Sequence, residues 1–383
     1  MSRGVDVLPT LLPGFSGTAL PDWVRRRLRE GLGGVCLFAR NIAGHDSLAA
    51  LNAEILAADP RAVIALDEEG GDVTRLYADV GSPYPGNAVL GRLDDLDVTE
   101  AVAADVGRAL RRTGCTLTFA PDVDVNNNPD NPVIGVRSLG ADADLVARHG
   151  AAWVRGVQST GTGATAKHFP GHGDTGTDSH VSLPVVDRSL DELRTRELVP
   201  FAAAVQAGAV AVMTSHILLP QVDPDAPATF SRRIIAGLLR TELGFDGVVV
   251  TDALDMAGAS GPGGTPQSAV RALAAGCDLL CLGNDSTDEQ VEAIVQAVRA
   301  AVDEGSLPAA RVEEAVSRVH AMAGLLTSAR DGHPQQALAG PAHLEDDRLT
   351  GTFDHSRAAI SWRERAAGRF TVVRLEDRPN IAV

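Results

Sequence analysis

Short apolar runs alternate with longer segments of helical periodicity from the start of the chain to about residue 330. Eight of these runs are rich in β-branched or small residues: VLPTLLPGF, GVCLFA, AVIALDEEGG, TLTFAPDVDV, GATAKHFPG, AVAVMTSHI, GVVVTDALDM and CDLLCLG. Polar and apolar positions do not alternate within them, which is typical of strands buried on both faces of a parallel sheet. Eight such strands with intervening helices predict an α/β fold, a (β/α)8 barrel.

The segments between the runs carry helix signals. SLDELRTRELVPFAAAVQAG opens with Ser189 and Glu192 in capping-box spacing, and STDEQVEAIVQAVRAAVDEG repeats this spacing with Ser286 and Glu289. Apolar residues of the second segment fall on one helical face. They are Val291, Ile294, Val295, Val298 and Val302.

The composition and the hydrophobic pattern of the sequence change after residue 330. Residues 331–383 are turn-rich and polar at first, and then offer one short helix-like stretch and one strand-like stretch, Phe370 to Leu375. This is too little for an independent core. We therefore expect a catalytic barrel over residues 1–330, followed by a linker and appendage that is either packed on the barrel or the start of a second α/β domain.

Charge and cysteine usage narrow the class of protein. The 383 residues include 34 basic and 50 acidic ones, a net charge of -16, which disfavours nucleic acid and anionic membrane surfaces as partners. The chain has no signal-like apolar segment at its start and no apolar run of about 18 residues, so a cytoplasmic protein is expected. Each cysteine lies in an apolar run and is expected to be a buried free thiol. These are Cys36, Cys115, Cys277 and Cys281.

Polar residues recur at the carboxyl ends of the predicted strands, where barrels build their active sites from several strand tips. The alternative is that such residues only initiate loops and cap helices, which is about as plausible for Asp124 but less so for lysine and histidine. The residues in question are Asp67, Asp122, Asp124, Lys167, His168, His216 and Asp252.

The densest polar stretch is KHFPGHGDTGTDSH, which starts at Lys167. His168 and His172 are four residues apart, but the intervening proline and glycines oppose the helix on which zinc proteases present such a pair. A loop that surrounds a metal is a less favoured alternative. The glycines at 171, 173 and 176 suggest positive φ angles or close approach to a ligand.

An acid/base interpretation accounts for more of these residues. Asp178 and His180 are two apart, so a carboxylate can bond to the imidazole, fix its tautomer and raise its pKa. Such a histidine can donate a proton to a leaving group and then take one from water. Asp252 ends an apolar strand and can face it, which gives the combination that a retaining glycosidase needs.

The same stretch closely resembles the signature of the β-N-acetylglucosaminidases of glycoside hydrolase family 3. Further blocks from about residue 10 to residue 285 resemble the family in the same order: PGFSGTALP, GVCLFARNI, ALDEEGGDVTRL, FAPDVDVNNNP, GVRSLG, MTSHILLP and ELGFDGVVVTDALDM. The resemblance implies that Asp252 is the nucleophile and His180 the general acid/base, paired with Asp178. It implies a binding site for a non-reducing N-acetylglucosamine, without metal or cofactor, made by Asp67, Arg75, Arg137, Lys167 and His168, with His216 similarly placed.

With these residues, the resemblance implies a retaining β-N-acetylhexosaminidase that acts on a carbohydrate substrate, with peptidoglycan fragments as the implied source. Asp255 is expected in the first turn of the helix that follows, and His172 and Asp174 have no assigned role. Alternatives are a β-glucosidase of the same family, a catalytically silent sugar-binding protein and a metal-dependent hydrolase. Because a neutral histidine does not repel an anion, transfer of the sugar to phosphate is a further hypothesis. The sequence predicts no oligomeric state.

Overall fold

The computed structural model describes residues 4–332 apart from 180, 181, 260 and 262, together with Thr352. Within this part of the chain each of the eight predicted runs contains one strand. The strands are β1 (Leu11–Leu12), β2 (Gly34–Cys36), β3 (Val63–Leu66), β4 (Leu117–Thr118), β5 (Gly163–Phe169), β6 (Ala211–Thr214), β7 (Val248–Val250) and β8 (Leu280–Cys281).

The strands pair in parallel and in chain order. β2 to β7 form a six-stranded sheet, and β1 pairs with β8. The two sheets are linked by a bridge between Val250 and Leu279, and by a 3.0 Å hydrogen bond that Cys36 N donates to Pro13 O. This is the strand order of a (β/α)8 barrel whose regular ladder is interrupted on both sides of the β1–β8 pair, so the barrel is not fully closed. The predicted fold class is confirmed.

Helices connect the strands and cover the outside of the sheet. They are α1 (Asp22–Arg29), α2 (His45–Ala58), α3 (Asn87–Leu93), α4 (Leu96–Thr113), α5 (Ala143–Gln158), α6 (Leu190–Thr195), α7 (Leu198–Gln206), α8 (Gly264–Ala275), α9 (Asp288–Asp303) and α10 (Ala309–Gly332), with a π-helix over Arg233–Glu242. The capping box predicted at Ser189 and Glu192 is confirmed at α6.

The cap predicted for α9 is wrong by one residue. Thr287, not Ser286, caps the helix, because its Oγ1 accepts the hydrogen bond from Gln290 N (3.2 Å). Threonine and serine cap almost equally well, so the sequence alone does not choose between neighbours. The predicted apolar face is confirmed, since Val291, Ile294, Val295 and Val298 are buried and Val302 packs against the core.

Alternate strand residues face the barrel interior. Ala65 of β3 and Val250 of β7 belong to the interior cluster, whereas their neighbours contribute to the core between the sheet and the helices. Since side chains alternate with a period of two, the next inward positions are Asp67 and Asp252, just beyond the strand ends. This register directs both carboxylates into the mouth of the barrel.

The opposite end of the barrel is covered by α10. Its residues Val319, Met322, Ala323 and Leu326 belong to the same apolar cluster as the strand interior. The four cysteines are buried and free, as predicted. Among the described residues, no helix combines the length and apolarity that a membrane crossing requires.

The predicted division at residue 330 stays a prediction. α10 runs through this position to Gly332, and of the following residues only Thr352 is described. Its carbonyl oxygen accepts a 2.7 Å hydrogen bond from Nη1 of Arg92 at the end of α3. The strand-like stretch from Phe370 to Leu375 lies outside the described residues.

Candidate active site

A cavity of about 600 Å³ opens at the carboxyl ends of the strands. It is lined by side chains that the sequence places far apart, on the ends of β3, β5 and β7 and on the loops between them. Six of the predicted site residues line it together: Asp67, Arg75, Arg137, Lys167, His168 and Asp252.

One wall of the cavity is a buried network of charges. Lys167 Nζ lies 2.7 Å from Asp67 Oδ1 and 2.6 Å from Glu69 Oε1. Arg137 bonds to Glu69 through both Nη2 (2.8 Å) and Nε (3.1 Å), a bidentate pair, and Arg75 Nη2 lies 3.4 Å from Asp67 Oδ2. Glu69 therefore joins the two cations, although it does not itself line the cavity. We call these five residues the charged wall.

The two carboxylates of the charged wall stay ionised at neutral pH. Burial opposes ionisation of Asp67, but Lys167 and Arg75 hold the pKa of its carboxyl well below the usual value. Arg137 and Lys167 do the same for Glu69 in spite of its burial. Because the opposite charges largely cancel, the wall offers fixed hydrogen-bond donors and acceptors without a strong net field. Such a surface suits the hydroxyls of a neutral sugar.

His168 is held against this wall by a second layer of carboxylates. Its Nδ1 lies 2.7 Å from Asp124 Oδ2, and its Nε2 lies 3.4 Å from Arg137 Nη2. Asp124 is fully buried, and His168 keeps its pKa low against the effect of burial. Burial and the adjacent Asp124 raise the pKa of Asp122 well above its usual value. Asp124 therefore fixes the orientation of the His168 ring, which is the role of a carboxylate behind a functional histidine.

Three of these groups have a spacing that a metal ion could bridge: one ligand atom each of Asp122, Asp124 and His168 lie within 4.8 Å of one another. Arg137 Nη2, however, lies only 3.7 Å from Asp122 Oδ2. A buried guanidinium at that distance repels a divalent cation strongly. The donor set therefore fits a histidine–carboxylate pair beside an arginine better than it fits a metal centre.

His172, which the sequence left without a role, fastens the loop after β5. Its Nδ1 lies 2.8 Å from Thr175 Oγ1 and its Nε2 lies 3.1 Å from Ser179 Oγ, while its backbone N donates to Asp124 Oδ1 (2.6 Å). Burial lowers the pKa of His172 to about 4. Both nitrogens of the neutral imidazole are therefore bonded to residues of the loop, which argues against a zinc site that His172 shares with His168.

The depressed pKa of His172 predicts a pH-dependent stability. Between pH 6.5 and about 4, His172 is protonated in the unfolded chain but not in the native protein. Its contribution to the free energy of unfolding therefore falls as the pH falls, by up to about 3 kcal/mol. We expect the difference in unfolding free energy between the wild type and His172→Asn to shrink over this range in urea titrations. A difference that is independent of pH would contradict it.

Glycines let this loop pack closely on its surroundings. Gly171 has φ of 126°, and a Cβ on Gly173 would lie 1.9 Å from Val125 O. Both requirements come from the protein itself, not from a ligand, and Gly176 has neither. Asp174 anchors the loop from outside through Arg188 Nε (2.7 Å) and Arg196 Nη2 (3.3 Å).

Asp252 lies just past β7, half-buried, at the cavity surface. Its Oδ1 accepts a 2.8 Å hydrogen bond from the backbone N of Ala253. Asp255 also lines the cavity. The expectation that Asp255 lies in a helical turn is wrong, because the chain turns at residues 254–256 and α8 begins only at Gly264.

Two predicted site residues, Asp178 and His216, do not line the cavity in the part of the chain that the structure describes. Asp178 is half-buried, and its predicted partner His180 lies outside the described residues. His216 is fully buried, with Nε2 3.1 Å from Ala253 O and Nδ1 2.9 Å from Thr229 Oγ1. It contacts the chain that follows Asp252 instead of the cavity.

Two groups were missed by the sequence interpretation. Glu69 was not assigned to the site, although it is the last of three adjacent acids directly after β3. Ser179 was overlooked within the DSH motif, although it lines the cavity. The available signal for Glu69 was its even spacing from Asp67, which places both side chains on the same side of an extended chain.

Comparison with known proteins identifies the family of the chain. The sequence profile of the Glycosyl hydrolase family 3 N terminal domain matches residues 22–322. The chain is 40% identical over 296 residues to a beta-hexosaminidase of Stenotrophomonas maltophilia, covering 74% of this chain and 86% of that protein. It is 38% identical over 284 residues to a beta-hexosaminidase of Pseudomonas aeruginosa, covering 74% and 84%.

A solved structure is similar over most of the chain. It is a glycoside hydrolase family 3 beta-N-acetylglucosaminidase from a Paenibacillus species, with a TM-score of 0.81 and 40% identity. The match covers 92% of this chain and 68% of that one. With the family profile spanning most of the barrel, the chain belongs to glycosyl hydrolase family 3 and is a glycoside hydrolase.

Proposed function

We propose that the protein is a retaining β-N-acetylhexosaminidase that removes β-linked N-acetylglucosamine from non-reducing ends. The observation that carries this proposal is the shared cavity: four residues of the charged wall and Asp252 line the same space. The wall supplies groups that can bond to sugar hydroxyls, and a site built to bond each hydroxyl rejects sugars that lack them.

In the proposed mechanism Asp252 attacks the anomeric carbon and forms a covalent glycosyl-enzyme, which water then hydrolyses with net retention. The hydrogen bond from Ala253 N supports this role, because it favours the ionised carboxylate that a nucleophile requires. His180, paired with Asp178, donates a proton to the leaving oxygen and then takes one from the attacking water.

The natural substrate is proposed to be a peptidoglycan fragment. The names of the relatives support an N-acetylated hexosamine. Phe38, Arg40 and Asn284 also line the cavity, and we expect them to contact the group attached to the sugar. A cytoplasmic location remains a prediction from the sequence.

Aryl glycosides test the proposal. We expect turnover of 4-nitrophenyl β-N-acetylglucosaminide to exceed that of the β-glucoside by about 100-fold or more in kcat/KM. A clear preference for the glucoside would instead support the β-glucosidase alternative. Activity that survives exhaustive chelation would remove the metal-dependent hydrolase, and a sugar 1-phosphate formed on adding phosphate would indicate phosphorolysis.

Covalent trapping tests the mechanism. Mass spectrometry after incubation with a slow fluorosugar substrate should place the label on the peptide that contains Asp252. A label on another peptide would exclude Asp252 as the nucleophile, whereas retention of configuration can be followed independently from the anomer that is released first.

A further inference from the structure

His216 is the predicted sugar-binding residue that the structure places elsewhere. It follows β6 and is fully buried. Its ring stacks on Phe230 at an interplanar angle of 23° with centroids 6.2 Å apart. Its Nε2 lies 3.1 Å from Ala253 O. The ring therefore connects the end of β6 with the residue that follows Asp252.

The partner of Nε2 determines where the imidazole carries a proton. A backbone carbonyl oxygen only accepts hydrogen bonds, so Nε2 must be the donor to Ala253 O. Nδ1 lies 2.9 Å from the hydroxyl of Thr229, whose single proton serves either this nitrogen or the carbonyl oxygen of Ser215. That hydroxyl also lies 2.9 Å from Thr214 Oγ1 and from Ser215 O, so residues at the end of β6 hold the ring from behind.

Ala253 transmits this contact to the carboxylate. Its carbonyl accepts from His216, and its own N–H donates to Asp252 Oδ1 at 2.8 Å. The next part of the chain packs on the same histidine, because a Cβ on Gly258 would lie 2.9 Å from His216 Cβ. Gly258 N also donates a 3.0 Å bond to Ser179 O. The segment from Ala253 to Gly258 is thus fixed at both ends.

We propose that His216 is a positioning residue for the nucleophile and makes no contact with the sugar. By donating to Ala253 O, it fixes the backbone whose N–H orients the Asp252 carboxylate toward the cavity. This inference rests on the proposed function, in which Asp252 attacks the anomeric carbon. It differs from the sugar-binding role that the sequence suggests, because it predicts an effect on catalysis and not on affinity.

Two substitutions separate the roles. His216→Gln keeps a side-chain N–H donor, and His216→Leu removes it. With the 4-nitrophenyl β-N-acetylglucosaminide we expect His216→Leu to lower kcat about 100-fold, the scale of a misplaced reacting group, and His216→Gln to recover part of this loss. The inhibition constant of free N-acetylglucosamine should change less than about threefold in both variants.

A matched control is provided by His149, a fully buried histidine of α5 that bonds to Thr99 Oγ1 (2.8 Å) and Asp94 Oδ1 (3.0 Å), remote from the cavity. His149→Leu should lower the melting temperature without a comparable loss of kcat. Thr229→Val keeps His216 and removes only the hydroxyl behind it, so it should lower kcat less than His216→Leu does. This variant also tests the inference if His216→Leu folds poorly.

Three results would overturn the inference: kcat of the folded His216→Leu within about threefold of wild type, a rise of the inhibition constant that parallels the loss of kcat, or no difference in kcat between the Gln and Leu variants. An inactive Asp252→Asn together with a fully active His216→Leu would refute the positioning role alone. An active Asp252→Asn would refute the proposed mechanism.

Discussion

Asp252→Asn should abolish turnover, with a loss in kcat of roughly 10⁴-fold or more, as is typical when a covalent nucleophile is removed. The amide keeps the size of the side chain and cannot form the glycosyl-enzyme. Since Asp252 is half-buried at the rim of the barrel, folding should be little affected. Steady-state kinetics and a melting curve on the same sample check both statements.

Asp255→Asn is the matched control for this result. Asp255 lines the same cavity three residues further on, but it is exposed and does not end a strand. We expect its substitution to reduce kcat by less than about tenfold. If Asp252→Asn, free of deamidated protein, kept near-normal rates, or if Asp255→Asn were the inactive variant, the assignment of the nucleophile would be wrong.

Glu69→Gln should both destabilise the protein and weaken sugar binding. The substitution leaves Lys167 and Arg137, each with less than 5% of its side chain exposed, without the carboxylate that joins them. Removing one partner of such a buried pair typically costs about 3 to 5 kcal/mol. Both cations line the cavity, so we also expect a higher KM and a weaker inhibition by N-acetylglucosamine.

The adjacent Glu68 supplies the control. It is as buried as Glu69, and its Oε2 accepts hydrogen bonds from the backbone N of Arg75 and of Leu76, each at 2.9 Å. Burial raises its pKa to about 7, so a neutral amide resembles its protonated form. Glu68→Gln should therefore change the unfolding free energy at pH 7 by about 1 kcal/mol or less. Equal losses in the two variants, measured by urea unfolding, would contradict a special role of Glu69.

The positions of the strands could be predicted from the sequence because β-branched runs are rare outside strands. The same runs concealed which residues face inward. Ile64 and Ala65 are both fully buried, one against the helices and one inside the barrel, so hydrophobicity does not distinguish the two faces of β3. For the same reason, the sequence does not show which of the two neighbours Glu68 and Glu69 belongs to the site.

Polar residues at the strand ends were predictable for a different reason. A charge at the end of a buried strand must meet a partner there, and Asp67 and Lys167 do so. The location of His216 depends instead on the path of the chain after Asp252, which no local pattern determines. It lies within hydrogen-bond distance of residues 13 and 37 positions away.

The charged wall also has a consequence for how this sequence can change over evolutionary time. Arg137 lies 68 residues from Glu69, and Lys167 lies 100 residues from Asp67. Loss of any one of these charges upsets the balance of the buried network, so tolerated replacements should occur as correlated changes at distant positions. In an alignment of relatives, these sites should covary as a single unit, even where the helices around them diverge independently.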